Sequence, residues 1–156
     1  MDPDLWRIRG ITDYQFGPRC GAALFPEGVS MERSKRTGKI RLIRAGGALL
    51  ASLRPTDGFF TLTIAGAERL MSGVESLGYT VTVMDEVSEF ISQGRNVFAK
   101  HVLEAGRRIR PGDEVVVIDS KKSVLAVGRA LLNREEMLAF GTGVAVKTRR
   151  GRDRDR

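Results

Sequence analysis

The sequence predicts an α+β N-terminal domain followed by a small, mostly β pseudo-barrel, and three observations predict this fold class. Short apolar runs of strand length alternate with turns rich in glycine, proline and aspartate along most of the chain. Helical spacing of apolar residues appears only in short segments between those runs. After about residue 84 the runs are more tightly punctuated, which indicates a second unit built from short strands and very short helices.

The predicted boundary divides the chain into three parts. We expect the α+β domain over residues 1–84, the barrel over 85–150, and a basic, solvated tail over 151–156, because RDRDR has nothing to bury. A chain of 156 residues with a hydrophobic fraction of 42% is long enough for two small domains. Such a composition buries a core without help from disulfides or metal.

The first domain opens with a predicted amphipathic helix, roughly Leu5 to Tyr14, in which Leu5, Ile8 and Ile11 share one stripe. Small antiparallel strands are predicted for the runs CGAALF, GKIRLIR, ALLASLR and FFTLTI, which the turns PEG, AGG and PTDG separate. The stretch AGAERLMSGVESLG then has helical spacing and is expected to end at Gly78. YTVTVM returns to strand and is expected to close this domain.

In the second domain, Asp85 is predicted to cap a helix that Gly94 ends. Asn133 and Glu136 have the spacing of a capping box at the start of the short helix REEMLAF. The predicted strands are NVFAKHVL, EVVVID, VLAVGRALL and VAVKTR, and EVVVID is apolar enough to be buried on both faces. Strands this short, with such small helices between them, favour a mostly closed barrel over a parallel sheet.

The charge is basic and clustered. Lysine and arginine number 26 against 19 acids, which gives a formal charge of +7. Two segments, SKRTGKIRLIR and KTRRGRDRDR, hold much of the excess. A protein this basic attracts polyanions, of which nucleic acid is the usual one, and charge that serves only solubility is the alternative.

Several kinds of site and location are not expected. Cys20 is the sole cysteine, so the sequence has no disulfide framework and no Cys-x-x-Cys zinc motif, and we expect neither a cofactor nor a metal. MDPDLWRIRG carries charges where a signal peptide needs an apolar run, and no stretch approaches the ~20 apolar residues of a membrane span. These features predict a cytoplasmic protein without membrane contact.

The order of motifs resembles a known family. From Gly94 to Arg150, the segments GRNVFAKHVLEAG, IRPGDEVVVID, LAVGRALLN, EEMLAF and GVAVKTR resemble a PUA domain, the RNA-binding module named after pseudouridine synthases and archaeosine transglycosylases. DYQFG, SKRTGKIR, LLASLRPTDGFFTLT and GAERL resemble the region before the PUA domain in archaeal tRNA-guanine transglycosylases and their archaeosine synthase relatives. The two resemblances cover nearly the whole chain except the tail.

The resemblance implies RNA binding without chemistry. Those transglycosylases carry their catalytic aspartates and zinc ligands in a large barrel of ~250 residues, for which this chain has no room. Pseudouridine synthases also keep their catalytic aspartate in a separate domain, so likeness to the appended module transfers no activity. We therefore expect a non-catalytic protein that recognises structured RNA, such as the tRNA acceptor end, and assists a tRNA base-modifying enzyme in trans. The alternative is a ribosome-associated or translation factor.

The only histidine, His101, is a weak candidate for catalysis. Spacing alone leaves a pair of Cys20 and His101 open. If NVFAKHVL is one strand, its parity places Val97, Ala99, His101 and Leu103 on one face and Phe98, Lys100 and Val102 on the other. His101 then packs among apolar neighbours, whereas Phe98 and Lys100 face outward together. The pair suits base stacking and a phosphate contact, with a core role for Phe98 and a solvated Lys100 as the alternative.

The family resemblance implies RNA contacts in the loop after the first barrel helix, in the strand that follows it, and in the last strand. In this sequence these positions are Gly94, Arg95, Asn96, Phe98, Lys100, Lys147, Arg149 and Arg150. Gly94 would let a phosphate approach backbone amides, although helix termination explains it equally well. Parity in the last strand points Lys147 and Arg149 outward, which also suits a charged edge that resists aggregation.

A possible second RNA contact lies in the first domain. Thr37 and Gly38 are predicted to form the tip of a hairpin. Lys35, Arg36 and Lys39 flank that tip and would present three cations to a phosphate backbone.

Overall fold

The computed structural model describes residues 2–154, which form two compact units, one up to Leu77 and one from Gly78 onward. The boundary therefore lies before the position predicted from the sequence, residue 84. The reason is the strand Thr80–Val83, which pairs with two strands of the second unit rather than closing the first. An apolar run of this kind has the same pattern in either sheet, so only the strand pairing decides where it belongs.

The first unit combines three helices with one antiparallel sheet, and each strand neighbours the next in the chain, β1-β2-β3-β4. Its elements are α1 (Pro3–Phe16), α2 (Cys20–Leu24), β1 (Ser30–Arg33), β2 (Ile40–Ala45), β3 (Ala48–Leu53), β4 (Phe60–Leu62) and α3 (Ile64–Gly73). The predicted α+β domain with a meander of small strands is confirmed. Strand β1 is an addition to the predicted elements.

Helix α1 is longer than predicted because its caps lie outside the apolar stripe. The side chain of Asp2 accepts a hydrogen bond from the Asp4 amide (2.9 Å), and Pro3 occupies the first turn, where its missing N–H costs nothing. Leu5, Ile8 and Phe16 are buried on the inner face. The helix ends where Gly17 adopts a φ of 120°.

The run CGAALF is a helix, α2, and the prediction of a strand there is wrong. Gly21 explains the packing: a Cβ at this position would overlap the backbone carbonyl of Arg9, so only glycine lets α2 lie this close to α1. The carboxylate of Asp13 accepts a hydrogen bond from the Gly21 amide (2.7 Å). An apolar run of five or six residues is too short to distinguish the two periods.

Helix α3 also differs from its prediction. It begins at Thr63, whose hydroxyl accepts a hydrogen bond from the Gly66 amide (3.1 Å), and it ends at Gly73 instead of continuing to Gly78. The remaining residues of AGAERLMSGVESLG connect the two units as irregular backbone.

The second unit is a nearly closed, mostly β barrel, as predicted. Its sheet has the order β6-β10-β9-β8-β5-β7, in which β5 and β8 are parallel and the other neighbours antiparallel. The elements are β5 (Thr80–Val83), α4 (Ser88–Ser92), β6 (Val97–Phe98), β7 (Val102–Ala105), β8 (Glu114–Ile118), β9 (Val124–Ala130), α5 (Arg134–Ala139) and β10 (Val144–Gly151). Strand β8 is buried along its full length, as its sequence predicts.

Helix α5 has the capping box expected from the sequence. The Asn133 side chain accepts from the Glu136 amide, and the Glu136 side chain accepts from the Asn133 amide, both at 2.9 Å. The predicted cap at Asp85 is wrong. Asp85 lies in the 3₁₀ turn Asp85–Val87, and its carboxylate accepts hydrogen bonds from the amide and hydroxyl of Ser120.

The predicted strand NVFAKHVL is broken by a 3₁₀ turn at Ala99–His101, between β6 and β7. The turn changes the parity of the residues that follow it. Val102 is therefore buried and Leu103 is exposed, the reverse of the prediction, whereas the predicted exposure of Phe98 and Lys100 is confirmed. Alternation applies only while the chain stays extended.

The predicted solvated tail is also partly wrong. Gly151 is buried at the end of β10, opposite Ala126, and the 3₁₀ turn Arg152–Arg154 follows it. The Arg152 guanidinium donates to the carbonyl of Val124 (3.3 Å) and to the hydroxyl of Ser92 (3.4 Å). Residues 155–156 of the predicted tail lie outside the described part. Over residues 2–154, no helix combines the length and the apolar character that crossing a bilayer requires.

Candidate nucleic-acid interface

A basic groove lies where the end of β10 meets the loop after α4. It has a volume of about 440 Å³. Its lining residues are Gln93, Gly94, Arg149, Arg150, Gly151 and Arg154. Within the described chain, these residues contribute three arginines and no carboxylate. The groove is therefore suited to an anion.

Close backbone packing forms this groove. A Cβ on Gly151 would overlap the carbonyl oxygen of Ser92 and the amide nitrogen of Gly94. Because glycine has no Cβ, the end of β10 lies directly against the loop that contains Gly94. Arg152, the next residue, donates hydrogen bonds to Ser92 and Val124, which further stabilise the end of β10.

Position 94 requires glycine because of its backbone conformation. Its φ is +101°, in the left-handed region, and its own N–H donates to the Ile91 carbonyl (2.9 Å), which closes the end of α4. The Arg95 N–H likewise donates to the Phe90 carbonyl (3.2 Å). Each N–H is used inside the turn, which agrees with helix termination, the alternative explanation of Gly94. No atom lies within 4 Å of the Cβ direction of Gly94, which leaves open space for a ligand.

Asn96 has a structural role that the sequence did not indicate. Its side-chain oxygen accepts a hydrogen bond from the Thr148 amide (3.0 Å). Thr148 lies where the pairing of β10 with β9 shifts register, between Thr148 and Arg150. Asn96 therefore satisfies a donor at a bulge and positions β10 beside the loop.

Arg149 is exposed, as strand parity predicts, but its guanidinium is bound to an acidic side chain. Both of its terminal nitrogens donate to the carboxylate of Glu114, with Nη1 lying 2.8 Å from Oε1 and Nη2 bonded to Oε2. The Glu114 side chain is only 1% exposed, and that of Arg149 is 34% exposed. Arg149 lies at the bulge in β10, between Thr148 and Arg150. Glu114 thus offsets the charge of Arg149, and Arg150 and Arg154 are the other two arginines that line the groove.

Phe98, Lys100 and Lys147 are exposed, as the sequence predicts, but they do not line the groove. The Phe98 ring is 45% exposed and meets the His101 ring edge-on, with centroids 6.2 Å apart. Phe98 lies opposite Val144 of β10 in the sheet. His101 is half-buried and contacts Phe98, so the prediction that the two rings lie on opposite faces of one strand is wrong.

A thiol nucleophile is not available at neutral pH. Cys20 is buried, and this burial, together with the nearby carboxylate of Asp13, raises its pKa to about 11. The reactive form of cysteine is the thiolate, so the thiol of Cys20 is inert in the folded protein. Between residues 2 and 154 there is also no group of three or more histidine, cysteine or acidic side chains placed to hold a metal ion.

Three residues of the groove, Gln93, Gly151 and Arg154, were not among the predicted contacts. Gln93 precedes Gly94, and its place in the turn after the helix was the only signal in the sequence that could have identified it as a groove residue. Arg154 belongs to the basic run that the sequence placed in the tail. Its position depends on the buried end of β10 and the turn that follows.

The predicted hairpin tip in the first unit is confirmed. The Ser34 amide donates to the Lys39 carbonyl and the Gly38 amide to the Ser34 carbonyl, both at 2.8 Å. Arg33 anchors the tip through hydrogen bonds to the Gly38 carbonyl (2.9 Å) and the Asp4 carboxylate (2.6 Å). Lys35, Arg36 and Lys39 are exposed on it.

Comparison with known proteins agrees with this architecture. The domain family described as the patch-forming domain C2 of tRNA-guanine transglycosylase matches residues 6–76, and the PUA domain matches residues 79–152. The tRNA-guanine(15) transglycosylase of Methanothermobacter thermautotrophicus is 43% identical over 148 residues, which are 95% of this chain and 23% of that enzyme. The chain thus spans about a quarter of the length of such curated relatives.

Two solved structures share the fold. A hypothetical protein of Pyrococcus horikoshii superposes with a TM-score of 0.69 at 21% identity, covering 95% of this chain and 89% of that one. A conserved PUA domain protein of Thermoplasma acidophilum gives 0.62 at 20% identity, covering 95% and 88%. The chain is a patch-forming C2 domain followed by a PUA domain, and it is similar to the C-terminal region of archaeal tRNA-guanine transglycosylases.

Proposed function

We propose that this chain is a cytoplasmic, non-catalytic RNA-binding protein that recognises tRNA at its acceptor end and assists a tRNA base-modifying enzyme in trans. The observation that carries this proposal is the arginine-lined groove beside Gly94 in the PUA unit. An unpaired RNA end brings phosphates for cations and flat bases for exposed rings, and both kinds of partner are present in this unit.

The groove residues have distinct parts in the proposed complex. Arg150 and Arg154 hold phosphates of the terminal nucleotides, and the open space over Gly94 admits the chain end. Lys100 and Lys147 lie outside the groove and contact the backbone further along, and Phe98 offers its exposed face to a base. Asn96 and Arg149 position β10 rather than contact RNA.

The names of the relatives support a role beside a tRNA base-modifying enzyme. The relatives are named as tRNA-guanine(15) transglycosylases, and the chain matches about a quarter of each. A module that binds tRNA presents the base to be modified to a catalytic partner, and holding the substrate in position supplies part of the catalytic effect.

We expect tRNA affinity to fall steeply with salt. Neutralising about four or five phosphates gives a slope of roughly −4 in a plot of log affinity against log salt concentration. The Arg150→Ala/Arg154→Ala variant should make that slope shallower by about 1.4 to 1.8, because each lost phosphate contact contributes ~0.7–0.9. Fluorescence anisotropy of end-labelled tRNA at rising KCl measures both quantities.

Lys121→Ala is the matched control, since Lys121 is an exposed cation of the same unit that does not line the groove. It should leave the slope within about 0.3 of the parent value if the groove is the site. The proposal fails if tRNA has no measurable affinity at low salt, or if Lys121→Ala weakens binding as much as the groove variant does.

Crosslinking in the native cell, followed by sequencing of the attached RNA, tests which RNA is bound. We expect tRNA, with crosslinks concentrated near the 3′ end, and a lower yield with the Arg150→Ala/Arg154→Ala variant. Crosslinks to ribosomal RNA, together with co-sedimentation with a ribosomal subunit, would instead establish the translation-factor alternative and overturn the role in tRNA modification.

A further inference from the structure

The first unit exposes an aromatic side chain that its core does not use. Trp6, on the outer face of α1, is 72% exposed and is the only tryptophan of the sequence. It lines a groove of about 730 Å³ between α1 and the start of α2. Tryptophan is highly buried on average, and this exposed indole offers a flat ring to a ligand in the groove.

The sequence of α1 leaves room beside the indole. Gly10 follows Trp6 by four residues and therefore lies next to it on the same helix face. No atom lies within 4 Å of the direction a Cβ of Gly10 would take. The space above Gly10 is therefore open, and Trp6 and Gly10 both line the groove.

The rim of this groove is cationic. Arg7, Arg9 and Arg19 line it, against the single carboxylate of Asp13. Asp13 already accepts a hydrogen bond from the Gly21 amide (2.7 Å). Arg9 uses its Nε to donate to the Phe25 carbonyl (2.9 Å), which fixes the guanidinium and leaves other donors on the same group. The groove thus has three arginines and a flat ring in its lining, a combination that suits an aromatic anion.

We propose that this groove binds an unpaired nucleotide of RNA, with the base stacked on Trp6 and its phosphates paired with Arg7 and Arg19. The proposal rests on the proposed function of the chain as an RNA-binding protein, and it adds a second contact, in the C2 unit. A nucleotide combines the two features that the groove offers partners for, a planar ring and a negative charge. An acidic peptide would use the arginines and leave the indole in water.

The hairpin tip extends the same surface. The bond between Arg33 and Asp4 holds the tip against the first turn of α1, whose Pro3 lines the groove. Lys35, Arg36 and Lys39 are exposed on that tip. A strand of RNA that places one base on Trp6 therefore has further cations within reach of its neighbouring phosphates.

The single tryptophan makes the proposal directly measurable. Titration with unfractionated tRNA should quench Trp6 emission in step with the binding of end-labelled tRNA, and saturating tRNA should lower the acrylamide quenching of Trp6 severalfold. Trp6→Ala should weaken the affinity for labelled tRNA about tenfold, and Trp6→Phe, which keeps a ring for stacking, should retain most of it. Arg7→Glu/Arg19→Glu should abolish the quenching. Arg41→Glu, at an exposed cation of the same unit outside the groove, should not.

The possible results separate the two proposals. Labelled tRNA that binds while Trp6 emission and acrylamide accessibility stay unchanged overturns the Trp6 site and leaves the function in place. Quenching that persists in the Arg150→Ala/Arg154→Ala variant, with no change in affinity, supports the Trp6 site and contradicts the groove beside Gly94. Absence of any tRNA binding overturns both.

Discussion

Replacing Arg149 with methionine is expected to lower the free energy of unfolding of the barrel by about 2–4 kcal/mol. The substitution removes the guanidinium that donates to the carboxylate of Glu114, whose side chain is only 1% exposed in β8. The lower part of the range for breaking a buried ion pair applies because Arg149 itself stays about one-third exposed. Urea unfolding followed by far-UV circular dichroism measures the change.

Two further variants identify the cause. Lys147→Met removes an exposed cation from the same strand and should change the stability by less than about 0.5 kcal/mol. Glu114→Met/Arg149→Met removes both charges, and it should recover most of the loss, since a buried pair replaced by apolar side chains is often neutral. A double variant as unstable as Arg149→Met would contradict the charge explanation and favour lost packing.

The same pair decides how binding experiments are interpreted. Strand parity suggests Arg149→Ala as a test of RNA contact. In the structure, however, this change removes the hydrogen bonds from Arg149 to Glu114 and so destabilises the barrel. Reduced tRNA affinity in that variant would follow from a displaced β10. Arg150 and Arg154 are the appropriate probes of the groove.

Gly151→Ala is expected to destabilise the barrel by about 1–3 kcal/mol and to weaken tRNA binding together with it. The added methyl group would overlap the Ser92 carbonyl and the Gly94 amide, both of them backbone atoms of the turn that closes α4. These atoms move only if β10 and the loop separate. Separation widens the groove and moves Arg150 and Arg154 away from Gln93 and Gly94.

The matched control is Gly141→Ala, because no atom lies within 4 Å of the Cβ direction there and the residue is exposed. Its stability should stay within about 0.5 kcal/mol of the parent. Urea unfolding and anisotropy with labelled tRNA, run on the same samples, compare the two variants. Normal affinity in a clearly destabilised Gly151→Ala would show that the contact between β10 and the loop serves the fold alone.

Local patterns determined much of the fold. The capping box at Asn133, the full burial of β8, and the hairpin tip at Gly38 each depend on residues close in sequence, and each is present as predicted. The exposure of Phe98 and Lys100 was also correct. That prediction assumed one continuous strand, however, and in the structure a 3₁₀ turn begins at Ala99.

The candidate site was predictable only in outline. The cluster of basic residues and the position of Gly94 were visible in the sequence, and these place a groove near the end of the chain. The role of Arg149 was not, because its partner Glu114 lies in another strand. The Trp6 groove was missed for a similar reason, since it requires α2 where the sequence favoured a strand.

By itself, the sequence determined the order of the two units, most of the strands and the location of the positive charge, because periodicity, turn residues and capping are local properties. The tertiary structure alone decided that Thr80–Val83 belongs to the barrel, that Cys20–Leu24 is helical, and that Glu114 neutralises Arg149. These outcomes depend on strand pairing, on close approach of two backbones at a glycine, and on an ion pair that includes a buried carboxylate. Each of these contacts joins residues far apart in the chain, so a short window of sequence does not predict it.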